Sequence, residues 1–318
     1  MKSHRIVGTD LKVSSLCLGG GSFGTTLRGA ALHRLYDQFR EAGGNFFDTA
    51  HCYSFWVKGG HGASETALGE CVRRRGDRTR VVIATKGGHP AVPPLYPRPD
   101  RYLAPEVIAG DVRDSLERLR MDHIDLYYLH RDDPRVPVAE IIDTLNAEIT
   151  RGRIRYLGAS NWTTARIDEA NKHAKKHRKK GFVASQPLWN LAQCNPLPDP
   201  TMRHLSEDDA RWHARHHLPV VPYSSTACGY FASGGKKAKQ TFDNPVSHAR
   251  LRRAEQLSRE LKVTRNQIAL GWLMSQPFPV IPILGTTDPA HLKDALGSAS
   301  LQLIAKQAQW LWSGDCGK

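Results

Sequence analysis

Short apolar runs alternate along this chain with longer stretches in which apolar residues recur every three or four positions. The runs are "SSLCLG" at 14–19, "NFFDTA" at 45–50, "RVVIATKGG" at 80–88 and "HIDLYYLH" at 123–130. "IRYLGAS" at 154–160, "FVASQ" at 182–186, "LPVVPYSS" at 218–225 and "FPVIPILG" at 278–285 complete the series. Runs of this length, bounded by Gly, Pro, Asn or Asp, read as strands. The stretches between them read as helices over 30–42, 64–75, 104–120, 138–150, 164–176 and 206–217. Two more, 245–261 and 265–275, follow the seventh run, and 289–296 follows the eighth. In 104–120, for example, Val107, Ile108, Val112, Leu116 and Leu119 fall on one helical face.

About eight strand–helix units thus follow one another without a low-complexity linker. Such alternation builds a parallel sheet with helices outside, and eight units close into a barrel. The expected fold class is α/β, a (β/α)8 TIM barrel covering 1–318 as a single domain. A doubly wound sheet is the rival, because strand order is not encoded locally. The stretch "LGGGSFGT" at 18–25 favours the rival on spacing. Gly19, Gly21 and Gly24 make G-x-G-x-x-G after a strand, and Asp48 ends the next strand. Against it, a dinucleotide-fingerprint helix starts within its glycines and keeps a small residue four places after the last, where this chain has Arg28. The glycines read better as the first strand-to-helix loop of a barrel.

Composition changes this picture little. Hydrophobic residues make up 40% of 318 and charged residues 24%, sufficient for a full core. A formal net charge of +14 raises nucleic acid as a partner. The densest basic run, "KHAKKHRKK" at 172–180, ends a predicted helix, where cations suit the dipole. No aromatic residues interleave with it, so no nucleic-acid partner is expected. The six cysteines (17, 52, 71, 194, 228 and 316) are scattered without a C-x-x-C. Several read as small hydrophobes, and the set points to a reducing, cytoplasmic setting. "MKSHRIVGTD" has no apolar signal region and no run is long enough for a membrane span, so no membrane partner is expected.

A barrel carries its chemistry at the C-terminal ends of its strands and in the loops just after them. Asp48 ends the second run, Tyr53 lies in the loop beyond it, Lys86 closes the third and His130 the fourth. Singly, each has a structural reading: a turn cap, a packed ring or a hydrogen-bonded buried histidine. Lys86 is the hardest to explain that way, since a lysine closing an apolar strand must find a counter-charge or lose its proton. Together they suit carbonyl chemistry. Lys86, kept charged by Asp48, is expected to lower the pKa of Tyr53; Tyr53 then protonates a carbonyl oxygen that His130 orients. No side chain supplies a hydride, so a nicotinamide cofactor is implied.

The segments "FFDTAHCYSF", "SETALGE", "ATKGG", "IDLYYLH", "GRIRYLGASNW", "SQPLWN", "VPYSS" and "PILGTTDPAHLKDAL" stand in this order along essentially the whole chain. Jointly they resemble the aldo-keto reductase superfamily. The resemblance implies a (β/α)8 barrel, reduction of aldehydes or ketones with NADPH, no metal, and a catalytic tetrad at Asp48, Tyr53, Lys86 and His130. It implies nicotinamide contacts at Ser160, Asn161 and Gln186, a stacking ring at Tyr223 beside Ser224, and first-loop contacts at Gly20 and Gly21. Gly285, Thr286 and Thr287 fall on the segment that holds the adenosine phosphate end, which suits a helix N-terminus. The family's cation and Asn for the 2′-phosphate and adenine fall on His291 and Ala295. That departure opens NAD(H) as an alternative, but NADP(H) is favoured, with Lys293, Lys236, Lys237 and Lys239 as compensating phosphate partners.

Two further departures bear on the substrate. The loop after Tyr53 is lengthened to "SFWVKGGHGA" at 54–63, which places Phe55 and Trp56 at the mouth as a flap or merely as a surface insertion. The tail after the last predicted helix is short and implies an open mouth. His89, Arg131, Asp132, Asp133 and Asn190 could line it, with Trp56, Trp162 and Trp189 as stacking faces. Such a rim would take a sugar or polyol as readily as a simple carbonyl compound; core packing is the alternative for the tryptophans. Three other functions compete: a Schiff-base lyase using Lys86, a metal hydrolase using His213 and His217, and a non-catalytic NADP(H)-sensing regulatory subunit. Oligomeric state leaves no mark on the sequence.

Overall fold

The computed structural model describes residues 1–197 and 199–315, so Cys316 lies outside the described residues. The chain opens with an antiparallel hairpin, β1 (Ser3–Arg5) and β2 (Lys12–Ser14). Strands and helices then alternate as β3 (Cys17–Gly19), α1 (Gly29–Glu41), β4 (Phe46–Asp48), α2 (Ala63–Arg75), β5 (Val82–Gly87) and α3 (Pro105–Leu119). They continue as β6 (Ile124–Leu129), α4 (Val138–Thr150), β7 (Ile154–Ser160), α5 (Thr164–Lys176), β8 (Phe182–Gln186) and α6 (Glu207–His216). The remainder comprises α7 (Lys239–Phe242), α8 (Pro245–Leu261), α9 (Arg265–Met274), β9 (Ile283–Leu284), α10 (Pro289–Gly297) and α11 (Ala305–Ser313).

The parallel ladder runs β8-β7-β6-β5-β4-β3-β9. Residues 219–223 join its two ends. Val220 bridges Ser185 of β8 on one side and Val280, ahead of β9, on the other. Val221 N donates to Ser185 O at 2.8 Å, and Ile281 N donates to Val220 O at 2.9 Å. Pro219, Pro222, Pro279 and Pro282 lack the N–H that would extend these pairings, which is why this part of the sheet shrinks to single bridges. With the gap closed by the 219–223 segment, the fold is the (β/α)8 barrel rather than a doubly wound sheet, whose edges stay open.

Alternation along the strands divides the core. Cys17, Phe46, Ala84, Leu126, Ala184 and Ile283 fill the barrel, whereas Leu18, Phe47, Ile83, Tyr127 and Leu157 face the helices. Ile6, Leu11 and Val13 join the interior cluster, so the hairpin plugs the barrel. It does so beside the start of β4, where Ser14 N donates to Asn45 Oδ1 at 2.7 Å. The glycine-rich stretch is a turn. α1 begins only at Gly29, and Gly24, at φ 74°, lies so close to α2 that a Cβ would sit 2.4 Å from Ala63 O. The tail expected to be merely short contains α11, which packs outside the barrel. Trp312 stacks on Trp272 of α9, and Arg250 and Arg253 of α8 donate to the Trp312 and Leu311 carbonyls. No described helix is long and apolar enough to cross a membrane.

Candidate active site

The inward face of each strand can be followed two residues further. Phe46 leads to Asp48, Ala84 to Lys86, Tyr128 to His130, Gly158 to Ser160, Ala184 to Gln186 and Val221 to Tyr223. Period two therefore aims six polar or aromatic side chains from six strand ends at one mouth. Gly158 is required within this arrangement, since a Cβ there would lie 2.3 Å from the Tyr128 ring.

At the centre, Lys86 Nζ donates to Asp48 Oδ2 at 2.7 Å, to Thr49 O at 2.7 Å and to Tyr53 Oη at 2.9 Å. Gln186 Nε2 holds the other carboxylate oxygen, Asp48 Oδ1, at 2.9 Å. Burial works against the Lys86 charge, but Asp48 and then Tyr53 outweigh it and raise the ammonium above its ordinary range. With all three protons engaged, Lys86 has no free lone pair, which removes the basis for a Schiff-base reading. Tyr53 differs from the sequence-based expectation. Burial pushes its phenol up, Lys86 pulls it down, and burial wins. The phenol therefore stays protonated at neutral pH. Because its oxygen already accepts from Lys86, its own proton is free to point into the pocket.

His130 lies edge-on to Tyr53, ring centroids 5.8 Å apart. Its carbonyl accepts from Asn161 Nδ2 at 3.1 Å and Arg131 Nη1 at 3.0 Å, and its Nδ1 lies 3.3 Å from Cys52 Sγ. Burial, then Arg131, His89 and Lys86, push its pKa well below the ordinary value, so the imidazole is neutral. His89 packs against it at 5.0 Å. There, Nδ1 donates to Pro90 O at 2.8 Å, and burial followed by Arg131 brings the pKa down to about 4. That leaves Nε2 of His89 as an acceptor.

The residues matched to a cofactor present a compatible surface. Asn161, in the left-handed region at φ 61°, donates to Ser160 Oγ at 3.1 Å, and its Oδ1 accepts from Tyr223 Oη at 2.8 Å. Ser160 Oγ donates to Gln186 O at 2.8 Å. Tyr223 is thus held by its hydroxyl, with its ring half-buried. Gly20 is fixed by Ser64 Oγ, which donates to its carbonyl at 2.6 Å, whereas Gly21 faces Tyr53 across open space. A Cβ on Gly285 would meet nothing within 4 Å. Beyond it, Thr286 Oγ1 accepts from Asp288 N at 3.1 Å and Asp288 caps α10 through Ala290 N at 2.7 Å. A nicotinamide dinucleotide fits this chemistry: polar groups at strand ends, a flat ring, and an open glycine at a helix N-terminus. Ser224 continues the turn at φ 52°. His291 is exposed, 3.8 Å from Asp288, as is Lys293, while Ala295 is turned into the core.

The residues proposed for substrate divide into two groups. Phe55 and His89 stand at the mouth with Trp56, which is 53% exposed and 6.4 Å from the Tyr53 ring. Tyr96, which the sequence did not mark, backs them at 5.3 Å from Phe55 and bonds His51 Nδ1 at 2.9 Å. Arg131 is buried, with Nε on Thr201 Oγ1 at 2.9 Å. Asp132 is held by Arg166 at 3.2 Å, and Asp133 by Arg135. Trp162 packs on Phe182, and Trp189 on Trp272 and Phe278. Asn190 is buried and donates to Ser224 O at 3.1 Å. The polar rim drawn from the sequence is thereby reduced, because its charges are paired with neighbours. His213 likewise bonds the Leu218 carbonyl at 2.9 Å. Among the described residues, no three His, Cys, Asp or Glu stand together as metal ligands.

Comparison with known proteins identifies the family. The aldo/keto reductase family model matches residues 15–311. Relatives include an uncharacterised oxidoreductase, YrpG, of Bacillus subtilis strain 168, 30% identical over 93% of this chain and 90% of its own. An aryl-alcohol dehydrogenase of Phanerodontia chrysosporium, whose name specifies NADP(+), is 28% identical over 96% of this chain and 83% of its own. The norsolorinic acid reductase of Aspergillus flavus is 26% identical over 96% and 79%. A match this long, on a closed barrel with its reactive side chains at the strand ends, means that the chain belongs to the aldo/keto reductase family and is an oxidoreductase of small-molecule carbonyl compounds that uses a nicotinamide cofactor.

Proposed function

We propose that the protein interconverts aryl aldehydes or ketones and their alcohols with NADP(H), Tyr53 serving as general acid in the reducing direction. The observation that carries this reading is the Lys86 ammonium bridging the Asp48 carboxylate and the Tyr53 phenol at the barrel mouth. A bound nicotinamide supplies or accepts the hydride. Tyr53 and His130 hydrogen-bond the carbonyl oxygen, and Tyr53 releases its proton as negative charge grows there. The phenolate left behind lies 2.9 Å from Lys86 Nζ, so the ammonium interacts most strongly with the charge that develops during reaction. In the oxidising direction the phenolate takes that proton back from the alcohol.

An aryl substrate is favoured over a sugar because Trp56 packs against Tyr53, and Phe55, with Tyr96 buried behind it, extends the aromatic surface. The charged groups that would line a sugar site are meanwhile paired elsewhere. The names of relatives, aryl-alcohol dehydrogenase among them, support the same class. Ser160, Asn161 and Gln186 would hold the carboxamide end, Tyr223 the nicotinamide face, and Gly285, Thr286 and Thr287 the phosphates. Exposed Lys293, Lys236, Lys237 and Lys239 favour the extra phosphate of NADP(H).

The test is steady-state NADPH oxidation with a panel of aryl aldehydes. Tyr53→Phe should lower kcat at least about a hundredfold while leaving the NADPH Kd within about threefold. Turnover that survives the substitution removes the mechanism. NADPH should also bind at least about tenfold more tightly than NADH, a difference of about 1.4 kcal/mol; equal Kd values would refute the preference.

A further inference from the structure

We propose that Cys52 is a positioning residue, whose thiol donates to Nδ1 of His130 and fixes the imidazole proton on Nε2, where it faces the substrate oxygen. The inference rests on the reading of His130 as the group that orients that oxygen, and it assigns a role to a residue that composition alone marks only as a small hydrophobe.

The geometry leaves few alternatives. Cys52 is buried beside Ala50 and Tyr96, immediately before Tyr53, with Sγ 3.3 Å from His130 Nδ1. Burial pushes the thiol up to about 12, so it keeps its proton. Burial, followed by the charges of Arg131, His89, Lys86 and His51, keeps the imidazole neutral. With both groups neutral, a single proton lies in the Sγ–Nδ1 contact, supplied either by the thiol or by the ring.

Two arrangements are conceivable. In one, S–H donates to Nδ1 and the ring proton sits on Nε2. In the other, Nδ1–H points at sulfur and Nε2 is bare. The thiol is weak in either role, but donating to an imidazole nitrogen, a strong acceptor, suits it better than accepting from Nδ1–H, and it leaves the ring proton on Nε2, which favours the first arrangement. It also suits the reaction. A bare Nε2 would compete with the substrate for the Tyr53 proton, whereas Nε2–H and Tyr53 O–H donate together to one oxygen. His89 shows the same logic with the opposite outcome, since its Nδ1 proton is tied to Pro90 O and its Nε2 is the acceptor.

The experiment uses the full chain labelled with 15N-histidine, and long-range 1H–15N correlation spectra report the His130 tautomer, assigned through His130→Asn. Wild type and Cys52→Ser, which retains a donor, should show one Nε2–H form. Cys52→Ala, and Cys52→Val, which fills the space without a donor, should show a mixture. Turnover should follow, with kcat down about tenfold in the two donorless variants, within about threefold of wild type in Cys52→Ser, and NADPH Kd unchanged. A pure Nε2–H tautomer in both donorless variants would overturn the proposal whatever their activity. A mixed tautomer with unchanged kcat would uphold the thiol's hold on the ring and instead refute the proposed role of His130.

Discussion

A Cβ built on Gly21 would point at Tyr53, with the ring carbon Cε2 its nearest neighbour at 4.0 Å. Gly21 has no positive φ, so an L side chain is tolerated there, unlike at Gly62, where φ is 79° and a Cβ would strike Arg118 at 2.6 Å. Gly21 therefore sets the room beside the phenol. Gly21→Trp should lower kcat/KM for a bicyclic aryl aldehyde by at least about tenfold, yet change that for propanal by less than about threefold. Equal losses for both, measured in parallel steady-state assays, would place Gly21 outside the carbonyl pocket. At this scale the sequence was informative wherever one strand decides the outcome. Asp48, Lys86 and His130 could be located because a strand end and a two-residue period suffice. Cys52 and Tyr96 could not, since their partners belong to other loops. Asp132 and Trp162 looked like rim residues because nothing local says that Arg166 bonds the one and lies 5.5 Å over the ring of the other.

Elements were legible in proportion to how far their own periodicity determined them. α4, α5 and α8 begin and end where the apolar spacing predicts, α1, α2, α3, α6, α9 and α10 fall within one residue of it, and the short α7 lies where a loop was expected. The hairpin β1–β2 left no such mark because β1 is exposed throughout. α11 was missed because its anchors lie on other helices. Arg250 lies buried with its guanidinium 3.2 Å from the Trp312 ring centroid and donates to the Trp312 and Leu191 carbonyls. Burial, then neighbouring Arg253, pushes its pKa down to about 9, an unfavourable site that α11 makes tolerable by offering carbonyls and an aromatic face. Truncation after Ile304 should therefore lower Tm by on the order of 5 °C, by uncovering Trp272 and leaving Arg250 short of acceptors. KM for aryl aldehydes should stay within about twofold, because α11 packs on the outer helices and not at the mouth. A large KM change with unaltered Tm would assign the tail to the pocket instead.

For the whole molecule, the buried histidines make stability depend on pH in a definite direction. His89 and His213 have pKa values brought down to about 4, chiefly by burial, and His130 lies well below its ordinary value for the same reason. In the unfolded chain each titrates near 6.5. As pH falls below that value the unfolded state takes up protons that the folded state refuses, so stability falls with pH from about 6.5 toward 4. In this window the unfolded chain binds more protons at each of the three sites than the folded barrel does, so their losses add and stability falls steeply. The paired carboxylates act in the same direction but lower down. Asp77, Asp133 and Asp199 lie below the ordinary carboxylate value, so their contribution is lost only as pH falls below about 4. Thermal unfolding should thus give a level Tm between pH 8 and 7 and a steep fall below pH 6. His213→Phe would place an apolar ring against Phe278, whose ring lies 5.7 Å from that of His213. It should lower Tm at pH 7 through loss of the bond to Leu218 O, yet flatten the slope between pH 6 and 5, by less than a third because His61 and His204 are lowered as well. A Tm that holds level down to pH 5 would mean that these histidines are protonated in the folded barrel, and the neutral imidazole required of His130 would be lost with it.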